Sequence, residues 1–200
     1  LRSTTEAVRY TDQDVGLSWM PLTHDMGLIG MHIFLVANRI DMHQMATELF
    51  VRRPVLWLQL AAEVGATLLC SPNFGYRHYL KVLGERSLEA LDLSRVRILF
   101  NGAEPISLAL CDEFMARCAP ARLARKAMFP VYGLAEACVA VSFPQLGAAY
   151  HASYFDRHQL NPGQRVALVP PGDRNALSLV AVGNVIPGSE LRVAGDGDVP

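Results

Sequence analysis

The candidate chemistry in this 200-residue chain centres on the stretch Tyr132-Gly133-Leu134-Ala135-Glu136. An aromatic ring can stack on a flat base, and a carboxylate can hold a magnesium ion that is bound to phosphate. Val131 and Tyr132 are predicted to end a buried strand, and the helix-forming run 134–137 to begin a helix after the glycine. Open α/β sheets bind ligands just beyond the carboxyl ends of their strands. An ordinary strand end with a solvated glutamate is the alternative, and these residues alone do not decide between the two.

Two further polar clusters also follow segments that are predicted to be strands. They are THDMGLIG at 23–30 and NGAEPIS at 101–107. Because the carboxyl ends of parallel strands meet at one edge of a sheet, all three clusters are expected to converge there.

The elements that must position these clusters alternate along the chain up to Val139. Strands are predicted at 15–22, 66–70 and 96–100, and helices at 24–36, 54–64, 76–83 and 108–118. The first helix is apolar on nearly every side, which predicts that it is interior. Ser107 is predicted to cap the last one. This alternation indicates an α/β fold, with a parallel sheet flanked by helices.

The pattern changes after Pro144. The segment 147–172 contains glycines, prolines and isolated aromatic residues with little helical period, and strands are predicted at 176–182 and 190–193. The C-terminal stretch is therefore predicted to be rich in β-structure.

Composition excludes several classes of protein. A net charge of -1 gives no electrostatic support for a nucleic-acid partner, so none is predicted. The longest apolar stretch, 28–37, is interrupted by His32 and is too short to span a bilayer, so no membrane span is predicted. The four cysteines, Cys70, Cys111, Cys118 and Cys138, lack metal-ligand spacing and are predicted to be reduced, buried thiols of a cytoplasmic protein.

Four motifs together carry a family resemblance. PLTHDMGLIG at 21–30, SPNFGY at 71–76, NGAEPIS at 101–107 and PVYGLAEA at 130–137 occur in the order and at about the spacing of adenylate-forming acyl ligases. The sequence most resembles the fatty acyl-AMP ligases, including those that load polyketide and nonribosomal peptide synthases. In that family, ATP and a carboxylic acid give an acyl-adenylate and pyrophosphate, and the acyl group then passes to the phosphopantetheine thiol of an acyl carrier protein. The resemblance implies part of the large N-terminal subdomain of such an enzyme, with ATP and Mg²⁺ as cofactors and a fatty or other carboxylic acid as substrate.

The resemblance also implies roles for individual residues. The adenine and AMP contacts fall on Asn101, Gly102, Ala103, Glu104, Tyr132, Gly133, Leu134 and Ala135. The magnesium ligand and catalytic carboxylate is Glu136, and His24, also catalytic, borders the reacting carboxylate. The walls of the acyl tunnel fall on Met26, Gly27, Gly30, Phe74 and Tyr76. A buried histidine that only bonds a backbone carbonyl is the alternative for His24, and simple core packing is the alternative for Phe74 and Tyr76.

Departures from the family pattern predict the domain organisation. The phosphate loop, the ribose-binding aspartate and the lysine-bearing C-terminal domain of the family have no counterpart here, and Pro130 stands where amide-forming relatives carry asparagine. The expected division is therefore a central α/β portion of the adenylation domain at 1–146, an insertion typical of acyl-AMP ligases at 147–182, and the start of a β-subdomain at 183–200. This stretch alone is expected to be inactive.

The insertion is expected to restrain a mobile C-terminal domain and so to disfavour free coenzyme A as acceptor. Six apolar residues are candidates to attach it to the main body: Tyr150, Tyr154, Phe155, Leu160, Val166 and Leu168. The alternatives for the whole protein are an acyl-CoA ligase and a catalytically dead docking module.

Overall fold

A five-stranded sheet, parallel throughout, forms the centre of the protein in a computed structural model that describes residues 1–161, 163 and 165–193. Its strands are β1 (Val15–Ser18), β2 (Asp41–Gln44), β3 (Leu68–Ser71), β4 (Ile98–Asn101) and β5 (Met128–Pro130), in the spatial order β2-β1-β3-β4-β5. Every residue of β3 and β4 is buried, as expected for inner strands that helices cover on both faces. The predicted fold class is confirmed.

Helices flank the strands. They are α1 (Arg2–Val8), a π-helix (Met26–Ile33) that continues as α2 (Phe34–Ala37), α3 (Thr47–Arg52), α4 (Leu56–Glu63), α5 (Asn73–Leu83) and α6 (Leu108–Cys118). All but α1 and α3 were predicted from the sequence. Ser107 caps α6 as predicted, because its hydroxyl oxygen accepts a hydrogen bond from the backbone N–H of Leu110 at 3.3 Å. No helix in the described part of the chain combines the length and the apolar character needed to cross a bilayer.

The helix predicted at 24–36 is present at 26–37, as the π-helix followed by α2, but it is not interior on all sides. Leu28, Ile33 and Val36 are 38%, 41% and 60% exposed. One apolar face of this helix therefore points to solvent, and another packs on the sheet. Because both faces are apolar, the sequence pattern could not show which one is buried.

Strand β2 was missed, because Asp41–Gln44 is polar and mostly exposed at the edge of the sheet. An edge strand with no buried face lacks the alternation that reveals a strand in sequence.

The strand predicted to end at Tyr132 ends instead at Pro130. Proline lacks an N–H and is tolerated in β5 because this strand lies at the edge of the sheet. The predicted helix after Gly133 is a single 3-10 turn, Ala135–Ala137, after which Cys138 and Val139 adopt left-handed φ values of 53° and 72°. The chain then returns, so that Tyr132 pairs antiparallel with Ser142.

The C-terminal stretch forms two small antiparallel ladders, which confirms that it is rich in β-structure. Strand β6 (Ser142–Phe143) pairs with β9 (Asn184–Val185), and β7 (Ala152–Asp156) pairs with β8 (Ala176–Val180). Strand β8 matches a prediction, whereas β6, β7 and β9 were missed. The strand predicted at 190–193 was wrong, because these residues are irregular in the structure.

Two predictions about single side chains are also corrected. Cys138 is exposed on the turn after β5, whereas Cys70, Cys111 and Cys118 are buried. Burial raises the pKa of Cys70 to about 12 and that of Cys111 to about 11, so these thiols remain protonated. Of the predicted attachment residues, Leu160, Val166 and Leu168 are exposed, whereas Tyr150 is buried.

Candidate active site

The loops that follow β4 and β5 face each other across a cleft of about 880 Å³. Ala103 and Glu104 line one side, and Tyr132 and Gly133 line the other. Four of the residues predicted around adenine are thus brought together at the carboxyl edge of the sheet. Strand β8 supplies a third wall through its residues 177–180. The sequence predicted this strand but carried no local signal for where it would pack.

A second cleft of about 230 Å³ adjoins the first, because Ala103, Val131 and Gly133 line both. Gly102 and Leu134 also line it, and so does His24 from the segment after β1. The three clusters singled out in the sequence therefore converge.

His24 is half-exposed beside Asp25. Its Nδ1 lies 2.7 Å from Asp25 Oδ1 and 3.1 Å from the Met26 backbone N. This nitrogen donates to the carboxylate when it carries the proton and accepts from the Met26 N–H when it does not. The imidazole is thus held in one orientation at the wall of the second cleft. Its Nε2 forms no hydrogen bond with any described residue.

Two buried asparagines hold the loop after β4 against the start of α5. The Asn101 amide nitrogen donates to Asn73 Oδ1 at 3.2 Å, and the Asn73 amide nitrogen donates to the carbonyl of Pro105. The Phe74 backbone N–H donates to Glu104 Oε1 at 2.6 Å, so this carboxylate caps α5. Asn101 is fully buried and is absent from the described linings of both clefts, so the structure places it beneath the predicted adenine wall. Sequence reasoning assigned no role to Asn73, although it lies within the SPNFGY motif, two residues after the end of β3.

The loop after Tyr132 is folded tightly on itself. A Cβ at Gly133 would lie 1.5 Å from the Val139 carbonyl oxygen, so only glycine fits there. Val139 is β-branched with a positive φ, a strained combination that is found mainly at functional sites. The close packing at Gly133 and the backbone hydrogen bonds of this turn impose that strain and hold residues 134–139 as a compact projection at the edge of the second cleft.

Glu136 lies on this projection, exposed to solvent, and makes no hydrogen bond or ion pair with any described residue. Neither Glu136 nor Ala135 is part of the described cleft linings. The described chain contains no group of three or more potential metal ligands. A single free carboxylate fits Mg²⁺, which is usually bound through one or two carboxylates together with phosphate oxygens and water.

The predicted acyl-tunnel residues are only partly brought together. Met26 and Gly30 line a small apolar cavity of about 50 Å³ with Met31, Phe34 and Phe100, and its described lining does not include Gly27, Phe74 or Tyr76. Gly27 instead allows close packing, since a Cβ there would lie 2.3 Å from the Pro21 carbonyl oxygen.

The two aromatic residues of that set occupy different environments. Tyr76 is in the core, where its hydroxyl donates to the Phe100 carbonyl at 2.8 Å. Phe74 is 54% exposed and makes an edge-to-face contact with Trp19, with ring centroids 5.7 Å apart.

The sequence model of the AMP-binding enzyme family matches residues 1–199 of this chain. The chain belongs to the AMP-binding enzyme family. Two curated relatives are each 33% identical to this chain in sequence. One is a putative acyl-CoA synthetase of Caulobacter vibrioides, aligned over 96% of this chain and 34% of its own length. The other is the medium-chain-fatty-acid–[acyl-carrier-protein] ligase TtuA of Teredinibacter turnerae, aligned over 91% of this chain and 29% of its own length.

A solved structure from a study of fatty acyl-adenylate ligases of E. coli and L. pneumophila is also similar to this AMP-binding enzyme. It superposes with a TM-score of 0.92 at 29% identity, over 100% of this chain and 36% of that chain. The predicted resemblance is thereby confirmed. The chain spans about a third of the length of the relatives that it matches.

Proposed function

We propose that the protein containing this chain activates a fatty acid with ATP as an acyl-adenylate and transfers the acyl group to an acyl carrier protein. The observation that carries the proposal is the cleft after β4 and β5, where a flat ring and an exposed backbone face each other. Relatives named as fatty acyl-adenylate and carrier-protein ligases support it.

In this proposal the Tyr132 ring, 44% exposed, stacks on adenine, and the Ala103 backbone covers the other face. Ala103 has a φ of 69°, which turns the backbone sharply at the cleft wall. Stacking would position the base without a hydrogen bond to the edge of the adenine ring. It therefore does not require an amide side chain at position 130, where this chain has proline.

Glu136 is proposed to hold the magnesium ion against the nucleotide phosphates, and His24 to border the reacting carboxylate. The bound metal would supply charge neutralisation between two anionic reactants. The chain's own contribution is position. The strained loop presents Glu136 to solvent, and His24 is oriented through Nδ1 by Asp25 in one protonation state of that nitrogen and by the Met26 N–H in the other. Met26 and Gly30 are proposed to begin the acyl tunnel.

We also propose the domain division predicted from the sequence, with an insertion at 147–182 between the adenylation body and the following β-subdomain. The antiparallel pair β7–β8 lies within this segment. A cytoplasmic location remains a prediction.

An acyl-CoA ligase is the second candidate, favoured by the similarity to a putative acyl-CoA synthetase. The two differ in the acceptor, not in the adenylation step.

One experiment tests both. The complete protein is incubated with fatty acid, ATP and magnesium, and then with either a holo-acyl carrier protein or coenzyme A. We expect an acyl-adenylate by mass spectrometry and acylation of the carrier protein, with little acyl-CoA. Efficient acyl-CoA formation would favour the second candidate, and absence of adenylate would leave only a catalytically dead docking module.

A further inference from the structure

Four exposed cations lie together on α3 and α5. Arg52 and Arg53 end α3, and Arg77 and Lys81 are four residues apart on α5 and therefore share a face. The two helices meet where a ring nitrogen of His78 lies 2.8 Å from the Val51 carbonyl oxygen. We call Arg52, Arg53, Arg77 and Lys81 the basic strip.

The side chains of the basic strip form no ion pairs with the described residues. Arg122 and Arg125, in contrast, pair with Asp92 and Asp112. In a chain whose net charge is -1, the strip is a local excess of positive charge that is available to an external partner.

The strip is continuous with the candidate active site. Arg77 and Lys81 line a groove of about 440 Å³ between α5 and α6, together with Ser107 and a single carboxylate, Glu113. Ser107 also lines the 880 Å³ cleft, so the groove and the cleft share a wall.

The start of α5 borders the cleft, because the Phe74 backbone N–H donates to the cleft residue Glu104. The strip thus runs from the rim of the site along α5.

Exposed apolar side chains lie among the cations. Leu49 and Val51 on α3 are 41% and 54% exposed, and Phe74 on α5 is 54% exposed. Apolar contacts flanked by charge are the usual composition of a protein–protein interface, where the charge steers approach and the apolar groups supply affinity.

We propose that the basic strip docks the acidic surface of the carrier protein that accepts the acyl group. The inference rests on the proposed function and extends it to the partner's binding surface. Docking there places the carrier's phosphopantetheine arm at the end of α5 that borders the cleft. Transfer then forms a carbon–sulfur bond and breaks the bond between the acyl carbon and the phosphate oxygen, releasing AMP and the thiol proton.

The test reverses the charge of the strip in the complete protein with the double variant Arg77→Glu/Lys81→Glu. Three rates are compared with those of the unmodified protein: ATP–pyrophosphate exchange, acyl transfer to a holo-acyl carrier protein, and acyl transfer to free pantetheine. We expect kcat/KM for the carrier protein to fall at least 10-fold. Exchange and transfer to pantetheine should stay within twofold, because neither requires the carrier's body. The rate with the carrier should also lose most of its dependence on salt.

Two further double variants test whether a loss of activity comes from the strip itself or from a general effect of charge reversal on the protein. Arg95→Glu/Lys126→Glu reverses two exposed cations that precede β4 and β5, at the opposite edge of the sheet, and should change none of the three rates. Arg52→Glu/Arg53→Glu reverses the other half of the strip and should reproduce the loss with the carrier.

Other results would overturn the inference. Undiminished transfer to the carrier in both strip variants would exclude docking at this surface. An equal loss with pantetheine would assign the strip to the transfer step itself and not to docking. If the unmodified protein forms no adenylate, the proposed function fails and the docking inference fails with it.

Discussion

At the scale of single residues, Glu136 and Asn101 differ in their exposure to solvent. The family resemblance implied that both contact a ligand. Glu136 projects into solvent on a strained turn and has no described partner. Asn101 is fully buried and donates to Asn73 at 3.2 Å. A free carboxylate is available to a metal ion, whereas a buried amide can only hold its neighbours in place. The roles proposed for these two residues therefore differ in kind.

Replacing Glu136 with glutamine in the complete protein should lower adenylate formation by roughly 100-fold or more, about 3 kcal/mol of transition-state stabilisation. The charge that holds magnesium is lost, while an exposed side chain without a described partner contributes little to folding. Pyrophosphate exchange measures the effect. Glu63→Gln, at the exposed end of α4, is the control and should have no effect. A loss of only a few-fold at position 136 would remove Glu136 from the site.

At the scale of elements, the π-helix combines two glycines with opposite surroundings. A Cβ at Gly27 would lie 2.3 Å from the Pro21 carbonyl oxygen, whereas at Gly30 the nearest atom would be Val139 Cγ1 at 3.9 Å. Gly27 therefore serves close packing on the segment after β1. Gly30 borders the small apolar cavity and leaves it open.

These surroundings predict different outcomes for the two glycines. Gly27→Ala should destabilise the protein by about 1–3 kcal/mol through overpacking, as thermal unfolding would show. Gly30→Ala should be tolerated, and Gly30→Leu should lower activity with long acids at least 10-fold relative to short ones, because it fills the proposed tunnel. The assay is adenylate formation across a series of chain lengths. Equal losses for all acids would mean core damage and would contradict the tunnel assignment.

Tyr150, two residues before β7, attaches the β7–β8 ladder to α6. Its hydroxyl donates to Asp112 Oδ1 at 2.7 Å, and the Arg125 guanidinium carbon lies 4.6 Å from the centre of its ring. Burial alone would raise the pKa of Asp112, but hydrogen bonds from Tyr150 and Arg125 lower it, so the carboxylate stays ionised. Of the six attachment residues that we predicted, Tyr150 has both burial and a hydrogen bond.

Tyr150→Ala should therefore loosen the ladder and, if the insertion restrains the C-terminal domain, let the complete protein make several-fold more acyl-CoA. Tyr150→Phe keeps the ring under Arg125 and should have a smaller effect. Thioester yield is measured with fatty acid, ATP and coenzyme A, while adenylate formation should persist in both variants. Unchanged acyl-CoA in Tyr150→Ala, or efficient acyl-CoA formation by the unmodified protein, would show that the insertion is not a barrier.

At the scale of the whole molecule, one buried carboxylate links the starts of three strands at the edge of the sheet opposite the candidate site. Asp14 precedes β1 and accepts hydrogen bonds from Arg97 at 2.6 Å and 2.7 Å and from the Thr67 hydroxyl at 2.7 Å. Thr67 and Arg97 precede β3 and β4, so three neighbouring strands start from one polar cluster. Burial would raise the pKa of Asp14, but these hydrogen bonds and that from Thr11 outweigh it and lower the pKa.

Asp14→Asn should lower the free energy of unfolding by about 3 kcal/mol at neutral pH, because it leaves Arg97 without its charge partner. A lowered pKa in the folded state means that the stabilisation is present above the unfolded pKa and is lost as pH falls through the folded value. The difference between the two proteins should thus be constant from about pH 7 to 5 and shrink below about pH 4. Urea unfolding across pH tests this, with Asp12→Asn as an exposed control. A difference that persists unchanged in acid would rule out ionisation of Asp14 as the cause.

Some features of this protein are determined by local sequence. The inner strands and α4, α5 and α6 were predictable because an apolar run, a helical period and a capping serine act over a few residues. The order of the four motifs was sufficient for the family resemblance, and the position of each motif after a strand was sufficient to predict convergence at one edge.

Only the tertiary structure decided the rest, because those features depend on groups distant in the chain. Strand β2 is polar and exists through its pairing with β1, and the turn after Gly133 bends back because Tyr132 pairs with Ser142. Asn101 is buried at the end of the inner strand β4, where Asn73 accepts its hydrogen bond. Strand β8 becomes a wall of the cleft only where it packs against the loops after β4 and β5. A local pattern specifies which residues are apolar and where the backbone can turn. Which surface a side chain finally faces is set by long-range packing.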